Sequence, residues 1–195
     1  MSTLFVNNLN TASGSTITVP TGKQLIITDE GAVRVPGAIL QVVQGITTAA
    51  SSFSIAAHNL SSSVVSATIT PKSSSSKILM TGQVTGASDS LGHAFWIILQ
   101  RDSTNIGQGD ADGNTRRCHS GIAQFIDGSF AECLGNGSIN FLDSPNTTSS
   151  ITYHVKLAHN SGGTQTWFLN RTDNDGNNTD RPRATTTLTL MEIAQ

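Results

Sequence analysis

The chain has 195 residues, with 11 basic and 13 acidic side chains and a formal net charge of -2 at pH 7. Only 12% of the residues are charged, and the polar residues are mainly Ser, Thr and Asn beside 18 Gly, which favours strands and turns. The scattered Lys and Arg exclude the basic stripe of a nucleic-acid-binding protein, and the longest apolar run, residues 94–99, is too short to span a membrane.

Residues 1–45 predict very short strands at 15–19, 24–28, 32–35 and 38–43, separated by Pro-Gly and Pro-Thr-Gly turns. A segment of about 40 residues buries too little surface to fold alone. We therefore expect a β anchor or shaft module whose strands are completed by other copies or by a partner protein. The speculative interface positions in this module are Ile17, Val19, Leu25, Ile27, Val33 and Val35.

The composition of residues 46–63, rich in Ser, Thr and Ala around a weak run at 53–55, predicts a linker. Eight strands are then expected, at 64–70, 77–84, 94–101, 121–126, 138–142, 151–158, 165–171 and 185–193. Their number and uneven loops favour an antiparallel β-sandwich of the jelly-roll type over residues 64–195. The predicted fold class is therefore all-β.

The last strand alternates on both faces. Leu188, Leu190 and Glu192 share one face, whereas Thr187, Thr189, Met191 and Ile193 share the other. Apolar residues on both faces predict a central strand close to a subunit interface, so Leu190 and Met191 complete the speculative interface set. Together with the N-terminal module, this strand predicts a homotrimer.

Both ends of the chain resemble structural proteins of tailed phages, especially those of marine and cyanobacterial viruses. The similar strings are Ile17–Leu25 (ITVPTGKQL), Val35–Val42 (VPGAILQV), Gly163–Arg171 (GTQTWFLNR) and Thr187–Ala194 (TLTLMEIA). The resemblance implies a trimer with a C-terminal jelly roll similar to that of tumour necrosis factor, and an N-terminal piece that anchors to other virion proteins or forms a shaft. No site residue carries over from it.

Two functions follow from the resemblance. The first is a tail or head fibre of a bacteriophage virion, with a distal domain that recognises the host. The second is a capsid decoration, cement or connector protein that stabilises the particle without binding the host. The N-terminus lacks the pattern of a secretory signal, so synthesis in the host cytoplasm and localisation to the virion are expected.

The sequence does not predict an enzyme. No two of the five histidines have the i, i+4 spacing of a zinc helix, no Gly-x-Ser-x-Gly elbow is present, and nothing singles out the carboxylate pair of a glycosidase. Cys118 and Cys133 match no zinc pattern and are interpreted as reduced thiols, with a disulfide left open. We predict no cofactor and no metal.

Two long polar loops are the candidate receptor-binding sites, because rigid sandwiches present ligand-binding groups on loops. Their Asn, Asp and Arg side chains suit hydroxyl-rich glycans, and Arg suits sugar carboxylates. Closely spaced Asp and Asn also suit calcium, although turn-forming side chains explain them equally well. The speculative contacts are Asp110, Asp112, Asn114, Arg116 and Arg117 in the first loop, and Asp173, Asp175, Asn177, Arg181 and Arg183 in the second.

Overall fold

The computed structural model describes residues 19–24, 26, 35–89, 93–122 and 133–195. The described residues form strands and turns and contain no helix. Within them there is therefore no helix that is long and apolar enough to cross a membrane. The strands are β1 (Ile39–Thr47), β2 (Ser51–Ile55), β3 (Val65–Ile69), β4 (Lys77–Ser88), β5 (Phe95–Arg101), β6 (Thr104–Ile106), β7 (Ser120–Ile122), β8 (Gly135–Asp143), β9 (Ile151–His159), β10 (Gln165–Leu169) and β11 (Thr186–Ile193). The all-β prediction is confirmed.

The strands form two antiparallel sheets. In sheet A, β4 pairs with β8 on one side and with both β10 and β11 on the other; β1 continues beyond β11, and β2 beyond β10. In sheet B the order is β3, β9, β5, and then β6 and β7 pair with successive parts of β5. Two curled antiparallel sheets of this kind form a β-sandwich.

The core lies between the sheets because each strand alternates between buried and exposed positions. In β11 the predicted alternation is confirmed: Leu188, Leu190 and Glu192 are buried, whereas the residues between them are only partly covered. Trp167 of sheet A meets Phe95 of sheet B with ring centroids 5.0 Å apart. Full burial of side chains of this size stabilises the fold by roughly 1.5–3 kcal/mol each, which ties the two sheets together.

The sandwich begins before its predicted boundary. β1 lies mostly in the predicted N-terminal module, but it pairs with β11 from Ile39 to Thr47. β2 lies in the predicted linker, but it pairs along its whole length with β10. The linker interpretation of residues 46–63 is therefore wrong for this strand, because composition cannot reveal a partner more than 100 residues away.

The earlier strands predicted for the N-terminal module, at 15–19, 24–28 and 32–35, lie largely outside the described residues. Residues 35–89 are described without a gap, and near residue 35 the chain approaches the sandwich. Gly37 N donates to Ala194 O at 2.8 Å, and Ala194 N donates to Ala38 O at 2.9 Å. We call this end, defined by Gly37 and Ala194, the N-terminal pole of the sandwich.

Candidate assembly face and recognition loops

The outer face of sheet A is almost free of charge. It is formed by the side chains of β1, β11, β4 and β8 that point away from the core. Of its sixteen residues one, Lys77, is charged. The sixteen are Ile39, Val42, Gln44, Ile46, Thr187, Thr189, Met191, Ile193, Lys77, Leu79, Thr81, Gln83, Asn136, Ser138, Asn140 and Leu142.

An apolar row crosses this face from edge to edge. Val42 pairs with Met191, Met191 with Leu79, and Leu79 with Leu142, so the four side chains lie side by side on four strands. Val42 is 56% exposed and Leu142 46% exposed at the two ends. At a spacing of about 4.8 Å per strand the row is about 14 Å long. Leu79 and Met191 between them are partly exposed, and exposed apolar residues that lie side by side are a feature of protein-protein contact sites.

The interface residues predicted from the sequence have different positions. Met191 lies in the apolar row. Leu190 is fully buried in the core, so its prediction as an interface residue is wrong: the two faces of β11 differ, and only the odd-numbered residues face outward. Val19 and Val35 are exposed, and Ile17, Leu25, Ile27 and Val33 lie outside the described residues.

The first predicted loop, from Gly107 to Ser120, corresponds to residues 107–119 between β6 and β7 in the structure. Arg116 Nη2 donates to His58 O at 2.5 Å, on the segment that leads into β3, although the loop starts from β6 at the opposite edge of the sheet. Arg117 Nε donates to Gly109 O at 2.6 Å within the loop. Both guanidinium groups therefore bind backbone carbonyls of their own chain, while Asp110, Asp112 and Asn114 remain exposed at the tip.

The second predicted loop interrupts a strand. Leu169 of β10 pairs with Gly86 of β4, and Thr187 of β11 pairs with Gln83 of the same strand. From 169 to 187 the chain advances by 18 positions, whereas β4 spans the same distance in three positions, from 86 to 83, so 15 residues are extra. β10 and β11 are two parts of one strand position beside β4, and residues 171–185 are an insertion in it.

A buried asparagine holds the base of this insertion. Asn170 has φ 60° and is fully buried. Its Nδ2 donates to Thr47 O at 2.7 Å and to Ala49 O at 3.1 Å, and its Oδ1 accepts from Thr186 Oγ1 at 2.9 Å. Asn tolerates the left-handed conformation better than most residues, so this side chain can turn the backbone out of the strand and fix it to β1.

The insertion carries a linked group of charged side chains. The guanidinium of Arg171 stacks 4.0 Å from the ring centroid of Phe168 and donates to Thr172 O and Asp173 O at 3.0 Å each. Asp175 lies 3.8 Å from Arg171 Nε and forms an ion pair with Arg183. The side chains of Asp175 and Arg183 are 44% and 52% exposed, so this pair faces solvent while Arg171 orients it.

The other predicted residues of the insertion contribute to its shape. Arg181 packs so closely over Gly176 that a Cβ at that glycine would collide with its guanidinium. Asn177 is exposed at the tip, and Asp173 lies at the base with its carbonyl bound by Arg171. Asp175 already has two guanidinium neighbours, which argues against calcium there, since calcium needs the negative charge of its ligands.

The described residues contain no cluster of three or more His, Cys, Asp or Glu suited to a metal ion. Within them, four histidines make local contacts instead, and His93 Nδ1 lies 3.3 Å from Asn160 Oδ1. His159 Nε2 lies 2.9 Å from Ile55 O, while His119 Nε2 accepts from Asn140 N at 3.3 Å. His154 Nδ1 contacts Ser63 Oγ at 2.9 Å, and partial burial, with the nearby charge of Lys156, lowers the pKa of this histidine. Cys118 and Cys133 are half-buried and are not joined by a disulfide.

A buried polar triad lies beside the N-terminal pole. Asp143, at the end of β8, accepts from Arg101 Nη1 at 2.9 and 3.1 Å and from the hydroxyl of Tyr153 at 2.7 Å. Burial, followed by the Asp143 hydrogen bond, raises the pKa of Tyr153 far above its usual range. Because Asp143 belongs to sheet A and the other two residues to sheet B, the triad links the sheets; its donors and acceptors are used internally.

Sequence reasoning missed the apolar row and the inserted character of residues 171–185. Both depend on strand register, which places Val42 beside Met191 and Leu169 close to Thr187. The long polar run 172–184 was the one signal of the insertion in the sequence.

No protein-family model matches the chain, and no match is found among curated proteins.

Proposed function

We propose that this protein is a non-enzymatic structural subunit of a bacteriophage virion, a homotrimeric tail or head fibre that assembles through the outer face of sheet A. The observation that carries the proposal is the apolar row Val42–Met191–Leu79–Leu142 on a face with one charge among sixteen residues. The resemblance of both chain ends to tailed-phage proteins supports two parts of the proposal, the location in a virion and the trimeric state.

The composition of the face supports contact with further copies of the same chain. Soluble antiparallel sheets usually place polar and charged side chains on their solvated face, and charged residues are depleted at the centres of protein interfaces. Beside the apolar row the face carries Thr, Gln and Asn, and Gln44 Nε2 already donates to Thr189 Oγ1 at 3.0 Å. Two such faces can meet without repulsion between like charges.

The strand order supports the finer proposal of a jelly roll. If β10 and β11 count as one strand position, and β6 and β7 as another, one sheet has the order β1, β11, β4, β8 and the other β3, β9, β5, β6. With β1 and β2 also counted as one position, consecutive positions alternate between the sheets except at β5 and β6, which are neighbours in one sheet. This is the arrangement of a double Greek key. This order agrees with the fold that the resemblance implies.

A charge placed in the apolar row tests the proposal. We expect the protein to have three times the mass of one chain by light scattering, and Met191→Glu to be a folded monomer, because trimer contact would bury an unpaired carboxylate in each copy. Thr68→Glu, on the exposed face of β3 in sheet B, is the matched control and should stay trimeric. A monomeric parent protein, or a trimeric Met191→Glu variant, would contradict the proposed interface.

A further inference from the structure

The insertion of residues 171–185 is not needed to connect the sheet. Asn170 N donates to Thr85 O at 2.9 Å, and Thr186 Oγ1 accepts from Thr85 N at 3.2 Å, so the two ends of the insertion meet at the same residue of β4. With residue 170 in an extended conformation, a direct link from residue 170 to residue 186 would continue the strand in register with β4. Loops of this length without secondary structure are usually functional or disordered, and this one is held at its base.

We propose that the insertion binds a neutral, hydroxyl-rich saccharide through Asp175 and Arg183, with Arg171 as the positioning residue. The inference rests on the proposed function, because it gives a ligand class to the host-recognition role of the fibre. Asp175 accepts hydrogen bonds and Arg183 donates them, and the ion pair holds the two groups side by side at the surface. Neighbouring sugar hydroxyls both donate and accept, so a vicinal pair of them can bind both groups at once.

Charge balance favours a neutral sugar over an acidic one. The insertion contains three arginines (171, 181 and 183) and three aspartates (173, 175 and 180), so its formal charge is zero. Asp175 lies between Arg171 and Arg183 and offsets much of their attraction for an anion. The general expectation that arginine pairs with sugar carboxylates therefore does not apply here.

The side chains of the site are preorganised. Arg171 is fixed by the Phe168 ring and by two carbonyl oxygens, and the base of the insertion is fixed by Asn170. A site already ordered before binding loses less conformational entropy when the ligand arrives. The loop 107–119 differs, because Arg116 and Arg117 bind carbonyls of their own chain, and we do not assign the ligand to it.

The insertion also borders the proposed trimer face, where Gln83 Nε2 donates to Thr185 O at 3.4 Å. Three copies of the site would therefore surround the trimer axis. Single saccharide sites bind weakly, and linked sites raise the overall affinity by roughly 10²–10⁴-fold. The trimer should bind a polyvalent surface much more tightly than a monomer does.

Deletion of residues 171–185 gives the sharpest test. Because residues 170 and 186 then fall opposite residues 85 and 84 of β4, we expect the variant to fold and to remain trimeric. Full-length trimer should bind neutral oligosaccharides of glucose, galactose or mannose on a glycan array, and the deletion variant should bind none of them. Binding that survives the deletion would overturn the inference.

Point variants separate the two loops even if the deletion variant does not fold. We expect Asp175→Asn to weaken neutral-glycan binding by roughly tenfold or more, as for loss of a hydrogen bond to a charged group, whereas Asp112→Asn in the other loop changes it less than twofold. Larger loss from Asp112→Asn, binding of acidic glycans alone, or binding of no glycan on the array would each overturn the inference.

Light scattering on the same samples distinguishes this inference from the proposed function. A trimer that binds no neutral glycan refutes the saccharide site and leaves the assembly proposal standing. A monomer that binds neutral glycans through Asp175 supports the site and refutes the trimer. Met191→Glu should retain single-site binding while losing the gain from polyvalency.

Discussion

At the scale of single residues, Tyr153 stabilises the described fold through a hydrogen bond between the two sheets. Its hydroxyl donates to Asp143 Oδ2 at 2.7 Å, and the same carboxylate oxygen accepts from Arg101 at 2.9 Å. The ring is fully buried, so removing the hydroxyl leaves a buried carboxylate with one donor fewer. A hydrogen bond to a charged group contributes roughly 1.5–3 kcal/mol, which is a large share of the stability of a domain.

We therefore expect Tyr153→Phe to lower the free energy of unfolding by about 1–3 kcal/mol at pH 7, measured by urea denaturation. The pKa of Tyr153 is raised in the folded state, and the unfolded tyrosine titrates near 10. The stabilisation is therefore present below pH 10 and is lost as pH rises above it, because only the unfolded chain then releases the proton. The stability difference between the parent and Tyr153→Phe should shrink between pH 9 and pH 11.

The chain has one tyrosine, so phenolate absorbance reports this residue alone. In the folded protein at pH 11 we expect no phenolate signal until the protein unfolds. Arg101→Gln is a useful comparison, because it weakens the same carboxylate site while the tyrosine stays in place. Phenolate absorbance that rises with an ordinary pKa in the folded protein would contradict the buried triad.

At the scale of elements, the sequence predicts strands well where their own pattern is strong. β9 and β11 alternate clearly and were predicted within one residue at each end. β2 was missed because its outward positions are serines and its stability comes from pairing with β10, where Phe53 lies opposite Trp167. The same holds for the candidate site. Its polar composition predicts a loop, whereas the fact that the loop interrupts one strand depends on the pairing of β10 and β11 with β4.

The position of β1 and β2 in sheet A predicts the smallest chain that folds. A fragment of residues 64–195, cut at the predicted boundary, loses the apolar contacts of Leu40, Val43, Phe53 and Ile55. Leu40 and Ile55 are buried and Val43 and Phe53 partly buried. Full burial contributes roughly 1.5–3 kcal/mol per side chain and partial burial less, so the loss is a large share of a total stability of about 5–15 kcal/mol. We expect this fragment to be unfolded or insoluble.

A fragment of residues 35–195 is the matched control and should unfold cooperatively in circular dichroism. The shorter fragment also removes both carbonyl partners of Asn170 Nδ2 and removes Gln41 Nε2, which donates to buried Glu192 at 2.5 Å. These losses leave polar groups unsatisfied within sheet A. A cooperative, native-like transition of the 64–195 fragment would show that β1 and β2 are accessory strands.

At the scale of the whole molecule, the described structure has a direction. The chain reaches the sandwich at the N-terminal pole, beside Ala194, and the insertion leaves sheet A at Thr85, eight residues further along β4 than Lys77. At about 3.3 Å per residue this separation is about 26 Å. In the proposed trimer all copies would point the same way, so the three insertions would share one half of the assembly and the three N-terminal poles the other.

This direction matches the proposed fibre and can be measured on the isolated trimer. We expect an antibody fragment against an N-terminal tag to label one end of the trimer in negative-stain electron microscopy, and a fragment against a short tag inserted after Asn177 to label the other. A tag in the loop 107–119, after Gly113, is the control and should label the side, because that loop connects β6 and β7 of sheet B and the proposed trimer face is on sheet A. Labels at the same end for the first two tags would contradict a fibre that anchors at its N-terminus and recognises its ligand at the far end.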